Sequence, residues 1–267
     1  MVNDQHQGEQ PGQVPGSVPM IAPERPCLIV LEGIDLSGRT TQVQLLQDWL
    51  LAQHYTVTTT GWRTSPLISD ILTRARTGTA LRPLTYSLLF SADHLDRTQQ
   101  IIKPALARGE IVLADRYIYT AFARDTARGI DPTWVHNLYR YSVQPNIVFY
   151  LHISPEEAVK RRLALQQQRL LYSQKEQPPT KNGKGAKDNK NAKQQHDKLA
   201  ASSTLITSSP SLTKEALESF RTFEMNMYNA YQQMQKTLGF TVIEGNQPIN
   251  QVQATLRRAV MHLLLEV

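Results

Sequence analysis

Two glycines separated by four residues and followed by a cation and two hydroxyls make up the stretch of this chain best equipped for chemistry. It reads Gly33-Ile34-Asp35-Leu36-Ser37-Gly38-Arg39-Thr40-Thr41. The glycines permit a tight turn and close backbone approach. Amides at the start of a following helix would offer an anion unpaired N–H donors and partial positive charge. With the Thr40 hydroxyl placed to reach a magnesium ion, the spacing is that of a loop cradling the phosphates of a nucleoside triphosphate. One position departs from that pattern. Arg39 stands where such loops carry lysine, keeping the charge but presenting a larger, planar head. Asp35 is an acid inside an anion-binding loop, which makes most sense beside a metal or a cationic intermediary.

Such a loop must hang between a strand and a helix, and its flanks supply both. Cys27 to Leu31 is an apolar run suited to a parallel strand buried on both faces, and QVQLLQDWLLAQ has apolar residues at helical spacing. Strand and helix signals then alternate. Tyr55 to Thr60 is β-branched, and Pro66 opens a helix through Arg76. Pro83 opens a longer helix stopped at Gly109, and Ile111 to Asp115 ends on a carboxylate. Short helices follow, then a strand from Asn146 to His152, and a helix capped by Ser154 with Pro155 in its first turn. An amphipathic helix from Leu212 to Leu238, a FTVIEG strand and a helix from Pro248 to Leu265 close the chain. Five short strands separated by helices predict an α/β fold of three layers, a five-stranded parallel sheet with helices on both faces. Ligands of such sheets bind beyond the carboxyl ends of the strands, which brings Glu32, Asp35, the Trp62–Ser65 loop, Asp115 and Arg116 to one rim.

Composition locates the charge. The net +6 is concentrated between Gln166 and Ala200, where seven lysines and Arg169 face Glu176, Asp188 and Asp197, a local excess of +5. This polar segment predicts a mobile lysine-rich insertion at about 168–208 in a domain spanning 25–267, after a disordered Gln/Gly/Pro-rich tail at 1–24. With Tyr172 its only aromatic residue, it reads as a solvated loop in preference to a nucleic-acid surface. The single cysteine, Cys27, allows no disulfide within the chain and suits packing in a reducing compartment. No apolar run approaches the roughly 20 residues that span a bilayer, so a cytoplasmic protein with no membrane partner is expected.

The motifs LIVLEGIDLSGRTTQ, LLFSADHLDR, IIKPALARG, VLADRY, ARGID and TVIEGNQPINQV together resemble, in order and spacing, the thymidylate kinases of the nucleoside-monophosphate kinase superfamily. The likeness covers about residues 27–165 and 211–265. It implies transfer of the ATP γ-phosphoryl group to dTMP with Mg2+, and a homodimer using the apolar helix around Leu84 to Leu95. It assigns Asp35, Arg39 and Arg116 to catalysis, the residues from Gly33 to Thr41 with Arg161 to ATP, and Thr40 to the metal. Arg63, Phe90, His94, Asp115, Arg116 and Arg124 fall to the acceptor nucleotide, with Phe90 stacking on the base. The departures cluster on the acceptor side and the lid. His94 stands at a base-contacting arginine's position, Arg124-Asp125 replace a Tyr-Gln pair, Arg63 substitutes for the arginine of an Arg-Glu-Pro-Gly loop, and the lysine-rich insertion overwrites the lid. They leave open a relative with weakened catalysis or another acceptor.

Overall fold

A computed structural model describes residues 26–77, 81–175 and 213–265. The N-terminal tail expected at 1–24 and most of the lysine-rich insertion lie outside the described residues.

The strands are β1 (Cys27–Glu32), β2 (Val57–Gly61), β3 (Ile111–Asp115), β4 (Ile147–His152) and β5 (Thr241–Glu244). They form one five-stranded sheet in the order β2-β3-β1-β4-β5, every pair parallel. β1 lies at the centre because all six of its residues are apolar or internally satisfied, and all six are buried. Side chains alternate across a strand, so β1 feeds two cores. Leu28 and Val30 join Phe90, Ile118, Met227 and Tyr231 on one face, while Ile29 and Leu31 join Leu46, Val252 and Leu256 on the other. The expected three layers are present.

The helices are α1 (Arg39–Ala52), α2 (Ser69–Thr77), α3 (Pro83–Arg97), α4 (Lys103–Ala107), α5 (Ile118–Ala127), α6 (Pro132–Leu138), α7 (Pro155–Lys175), α8 (Lys214–Leu238) and α9 (Ile249–Leu265). Between α3 and α4 the rod continues through a π-helical stretch, Thr98–Ile102. Pro104 lacks an amide and its ring crowds the carbonyl one turn earlier, and a wider turn accommodates both.

Most boundaries fall within a residue or two of the sequence expectation, and two of the differences have a plain cause. The helix after Pro66 starts at Ser69, because the Ser65 carbonyl and hydroxyl first take the amides of Ile68 and Ser69 in a turn. The helix before the insertion runs on to Lys175, past the change in composition near 168, since the Leu170-Leu171-Tyr172 run continues a good helical sequence even though those side chains are exposed. At its other end α7 starts as expected, Ser154 Oγ accepting the Glu157 amide at 3.2 Å.

Candidate active site

The loop between β1 and α1 turns on Gly33 and Gly38, at φ +147° and +98°. A Cβ on Gly33 would lie 2.6 Å from the Leu151 carbonyl oxygen, so no side chain is tolerated where the loop crosses β4. Leu36 (φ 65°), Arg63 (φ 65°) and Arg116 (φ 71°) also have left-handed backbones, leaving His54 as the one further non-glycine of this kind among the described residues. Such conformations cost about 1–3 kcal/mol each and persist where the surroundings over-determine them. Three of the four surround the rim predicted from strand polarity.

Arg39 opens α1 but turns inward, 6% exposed. Its Nη1 donates to the carbonyls of Gly33 and Ile34 (2.7 Å for the latter) and to Ser37 Oγ at 3.1 Å, and its Nε to Asp115 Oδ1 at 3.2 Å. Thr40 Oγ1 donates to the other oxygen of Asp115 at 2.6 Å. The tip of β3 thus holds both the cation and the hydroxyl of the loop.

Arg116 pairs through Nη2 with Asp35 Oδ1 and donates through Nη1 to Thr120 Oγ1 at 3.2 Å. Burial alone would raise the Asp35 pKa, but Arg116, Arg39, Arg63 and Arg162 outweigh it and hold the carboxyl below its usual range. Glu224, on α8 and 1% exposed, accepts the Asp35 amide at 3.0 Å. Burial and then the Asp35 charge push its pKa up to about 7, against the lowering effects of that amide and of Arg116 and Arg39. Arg161, reaching in from α7, donates to the Leu36 carbonyl at 3.0 Å and the Gly245 carbonyl at 2.9 Å, while its Nε is held by Glu157.

Glu32 is wholly buried and ties the rim to the helices below. Its carboxylate accepts the amides of Tyr117 (2.8 Å) and Thr120 (3.1 Å) at the start of α5, and the hydroxyls of Thr120 (2.6 Å) and Tyr231 (2.7 Å). Tyr117 gives α5 no side-chain cap of its own, so a carboxylate from β1 satisfies those donors instead.

On the face of the sheet covered by α3 and α5, Phe90 packs against Trp62 (centroids 4.7 Å apart) and Tyr86 (4.6 Å). The Arg124 guanidinium lies over all three rings, 4.3 Å from Phe90, 4.8 Å from Trp62 and 5.2 Å from Tyr86. Asp93, one turn beyond Phe90, accepts the amides of Arg63 and Ser65 at 3.1 Å each and pairs with Arg97 at 3.0 Å, both charges fully buried. His94 faces the core. Its Nε2 lies 2.8 Å from Ser142 Oγ, its ring meets Tyr117 and Tyr139 edge-on, and burial, helped by Arg97, pulls its pKa down to about 3. A cleft of about 740 Å³ between α1 and α9, lined by Trp49, Ile249, Gln253 and Arg257 among others, contains none of these residues.

The sequence profile of the thymidylate kinase family matches residues 31–195. This chain belongs to the thymidylate kinase family. A probable thymidylate kinase 2 of Saccharolobus solfataricus is 42% identical over 137 residues, 51% of this chain and 64% of that protein. A probable thymidylate kinase of Thermococcus onnurineus is 34% identical over 142 residues, 50% and 69% of the two chains. A thymidylate kinase of Prosthecochloris aestuarii is 35% identical over 156 residues, 55% and 69%.

Within this member of the family the loop, Asp115 and Arg116 converge as the sequence placed them, with Arg63 and Arg161 at the same rim. Phe90 and Arg124 meet in a chamber of their own, and His94 is turned into the core behind it. Glu224 was missed, although it falls on the stripe of Phe220, Phe223, Met227 and Tyr231, and an acid in that phase is a signal. Asp93 and Arg97, spaced i to i+4 on an otherwise apolar helix face, carried a similar one.

Proposed function

We propose that this chain transfers the γ-phosphoryl group of ATP to dTMP, yielding dTDP and ADP. The observation that carries the reading is the single carboxylate of Asp115 shared between Arg39 and Thr40, with Arg116 and Asp35 paired on the other side of the loop. Loop amides from Gly33 to Thr41 hold the β- and γ-phosphates, Arg161 lies toward the adenine, and Arg39 neutralises the transferring group. Arg116, with Arg63, presents guanidinium forks to the acceptor phosphate and lines it up for in-line attack. The acceptor oxygen is already anionic at neutral pH, so no general base is required.

Two hard oxygens 2.6 Å apart, Thr40 Oγ1 and Asp115 Oδ2, suit magnesium, which takes few protein ligands and completes its shell with water and phosphate oxygens. Among the described residues no group of three or more His, Cys, Asp or Glu could hold a metal ion. Thr40 and Asp115 would hold such an ion, which would supply positive charge to offset that of the phosphates.

ADP release coupled to a reporter, with dTMP, dUMP, UMP and CMP offered in turn, tests the reading. Stimulation by dTMP is expected, and ADP release indifferent to every acceptor overturns it. A second reading, nucleotide binding with weakened turnover, is favoured by the Arg39 guanidinium being spent on loop carbonyls, which it must leave before phosphates settle there. It predicts ATP binding by calorimetry without ADP release, and recovery of turnover in Arg39→Lys.

We also propose a homodimer. Leu84, Leu88 and Leu95 of α3 are 54%, 49% and 46% exposed at helical spacing. That is an apolar stripe for a second copy to cover. No helix among the described residues is long and apolar enough to cross a membrane. Burial pushes the Cys27 thiol up to about 11, so it is inert.

A further inference from the structure

We infer that the cleft between α1 and α9 is a second nucleotide site, in which a mononucleotide lays its base on Trp49, sets the edge of that base against the Gln253 amide and turns its phosphate to Arg257 and Arg258. The place is remote from the phosphate loop. Trp49 lies ten residues along α1 from Arg39, about 15 Å. It packs against the core on the face of the sheet opposite Trp62 and Phe90.

The cleft holds about 740 Å³, a volume suited to a small molecule. Its walls follow from helical spacing. Leu45 and Trp49 are one turn apart on α1, while Ile249, Gln253, Arg257 and Met261 recur every fourth residue on α9. Within this lining Gln253 alone is buried, at 4% exposed, so it forms the floor and the residues around it the open walls.

That floor has unmet hydrogen-bonding capacity. Neither Oε1 nor Nε2 of Gln253 has a partner, and Arg257 Nε, one turn on, is buried without one as well. On α1, Gln42 Nε2 donates to the Ile249 carbonyl at 3.1 Å while its Oε1 is left over. Buried polar atoms are nearly always satisfied. A seam that had only to hold two helices together would be better served by a leucine at 253, as it is by Leu46 and Leu256 alongside. What Gln253 offers instead is an acceptor next to a donor, the pattern that meets the edge of a nucleobase.

The other groups supply the rest of what a nucleotide needs. Trp49 is the ring of the cleft, and the Arg257 guanidinium lies 5.4 Å from its centroid, so a base stacked on the indole finds a cation at its border. Arg258, exposed beside it, brings a second cation, and among the described residues no acid lines the cleft. Two guanidinium forks and no carboxylate select an anion, with phosphate matching the fork geometry. Arg257 is one turn from Gln253, about 6 Å along the axis, and the length of its side chain carries its charge further from the base. Among the bases, adenine sets an amino donor beside a ring-nitrogen acceptor, the pair that a glutamine amide takes bidentately.

Indole N–H resonances test this on the full chain, because the sequence has three tryptophans and Trp49→Phe identifies the peak of interest. AMP is the probe, with adenosine and ribose 5-phosphate as its two halves. AMP should shift the Trp49 resonance to saturation, and each half should bind about ten-fold more weakly or worse. Gln253→Leu removes the amide at similar volume, so it should melt at or above the wild-type temperature while weakening AMP by about ten- to a hundred-fold. Arg258→Glu, on the exposed wall, guards against a repacked seam in the leucine variant. It should weaken AMP to a similar degree and leave adenosine binding as it was. A Trp49 resonance that AMP leaves in place, AMP that moves only the Trp62 resonance on the opposite face, or AMP binding unchanged in either variant overturns the inference.

Discussion

The two halves of the site are held by different kinds of bond. At the rim around the β1–α1 loop, side chains grip backbone as well as one another. Arg39, Arg116 and Arg161 donate to the carbonyls of Gly33, Ile34, Leu36 and Gly245, while Glu32 and Glu224 accept the amides of Tyr117, Thr120 and Asp35. In the chamber around Phe90, side chains chiefly grip one another, with Asp93 also accepting the Arg63 and Ser65 amides. Rings stack on rings, Arg124 on rings, and Arg97 donates to Asp93 and to Thr60 Oγ1. A site made from backbone depends on a few small or left-handed positions and tolerates variety beside them. A site made from interlocking side chains changes specificity when one pair changes, and charges sealed within it become structural. Damage to the rim should therefore stop chemistry at little cost in stability, and damage to the chamber the reverse.

The sharpest test of that contrast is Asp93→Ala, which strands the buried Arg97 charge and two loop amides. Urea denaturation should show a loss of about 3–5 kcal/mol. At the rim, Arg116→Ala should lower acceptor-dependent turnover by about a hundred- to a thousand-fold. It should leave stability within about 1 kcal/mol, because its partner Asp35 is 52% exposed. A denaturation midpoint that dropped as far as in Asp93→Ala would erase the distinction.

Glu224 gives a smaller, pH-dependent effect. Its folded pKa of about 7 lies above the ordinary 4.5, so the folded state binds more protons between those values and stability falls as pH rises through that window. The decline should be on the order of 3 kcal/mol and be absent in Glu224→Gln when denaturation is followed from pH 4.5 to 8. A slope unchanged in the variant would assign the titration elsewhere. Smallest in stability is Leu88→Glu, within about 0.5 kcal/mol for the folded protomer. It should halve the apparent mass in sedimentation if α3 carries the dimer, and an unchanged mass would move the interface.

The same contrast explains what the sequence made legible. The loop from Gly33 to Thr41 and the Asp115-Arg116 pair are runs of neighbours whose work is done by main chain and by strand ends, so types and spacing were enough to find them. Parallel order followed from alternation, and the rim from strand polarity. The chamber comes from β2, α3, α5 and the end of α6. Nothing in the local sequence says that Arg124 will lie on Phe90, or that His94, next to a buried Asp93, will turn inward to Ser142. Glu224 was hidden because α8 follows the insertion, far in sequence from the loop amide it holds. The helix before the insertion outran its composition boundary because helix propensity persists where burial has already ended.

The π-helical stretch at Thr98–Ile102 carries a consequence for how this rod divides its labour. One extra residue in a turn shifts the angular phase by about 100°. Upstream of it the rod turns Leu84, Leu88 and Leu95 to the outside and Phe90 to the inside; at its end and beyond, Ile102 and Ala105 are sealed in the core. The widened turn works as a clutch between two facings of one shaft, so shortening it by a single residue would swing Phe90 and the leucine stripe away from their targets together while leaving the rod unbroken.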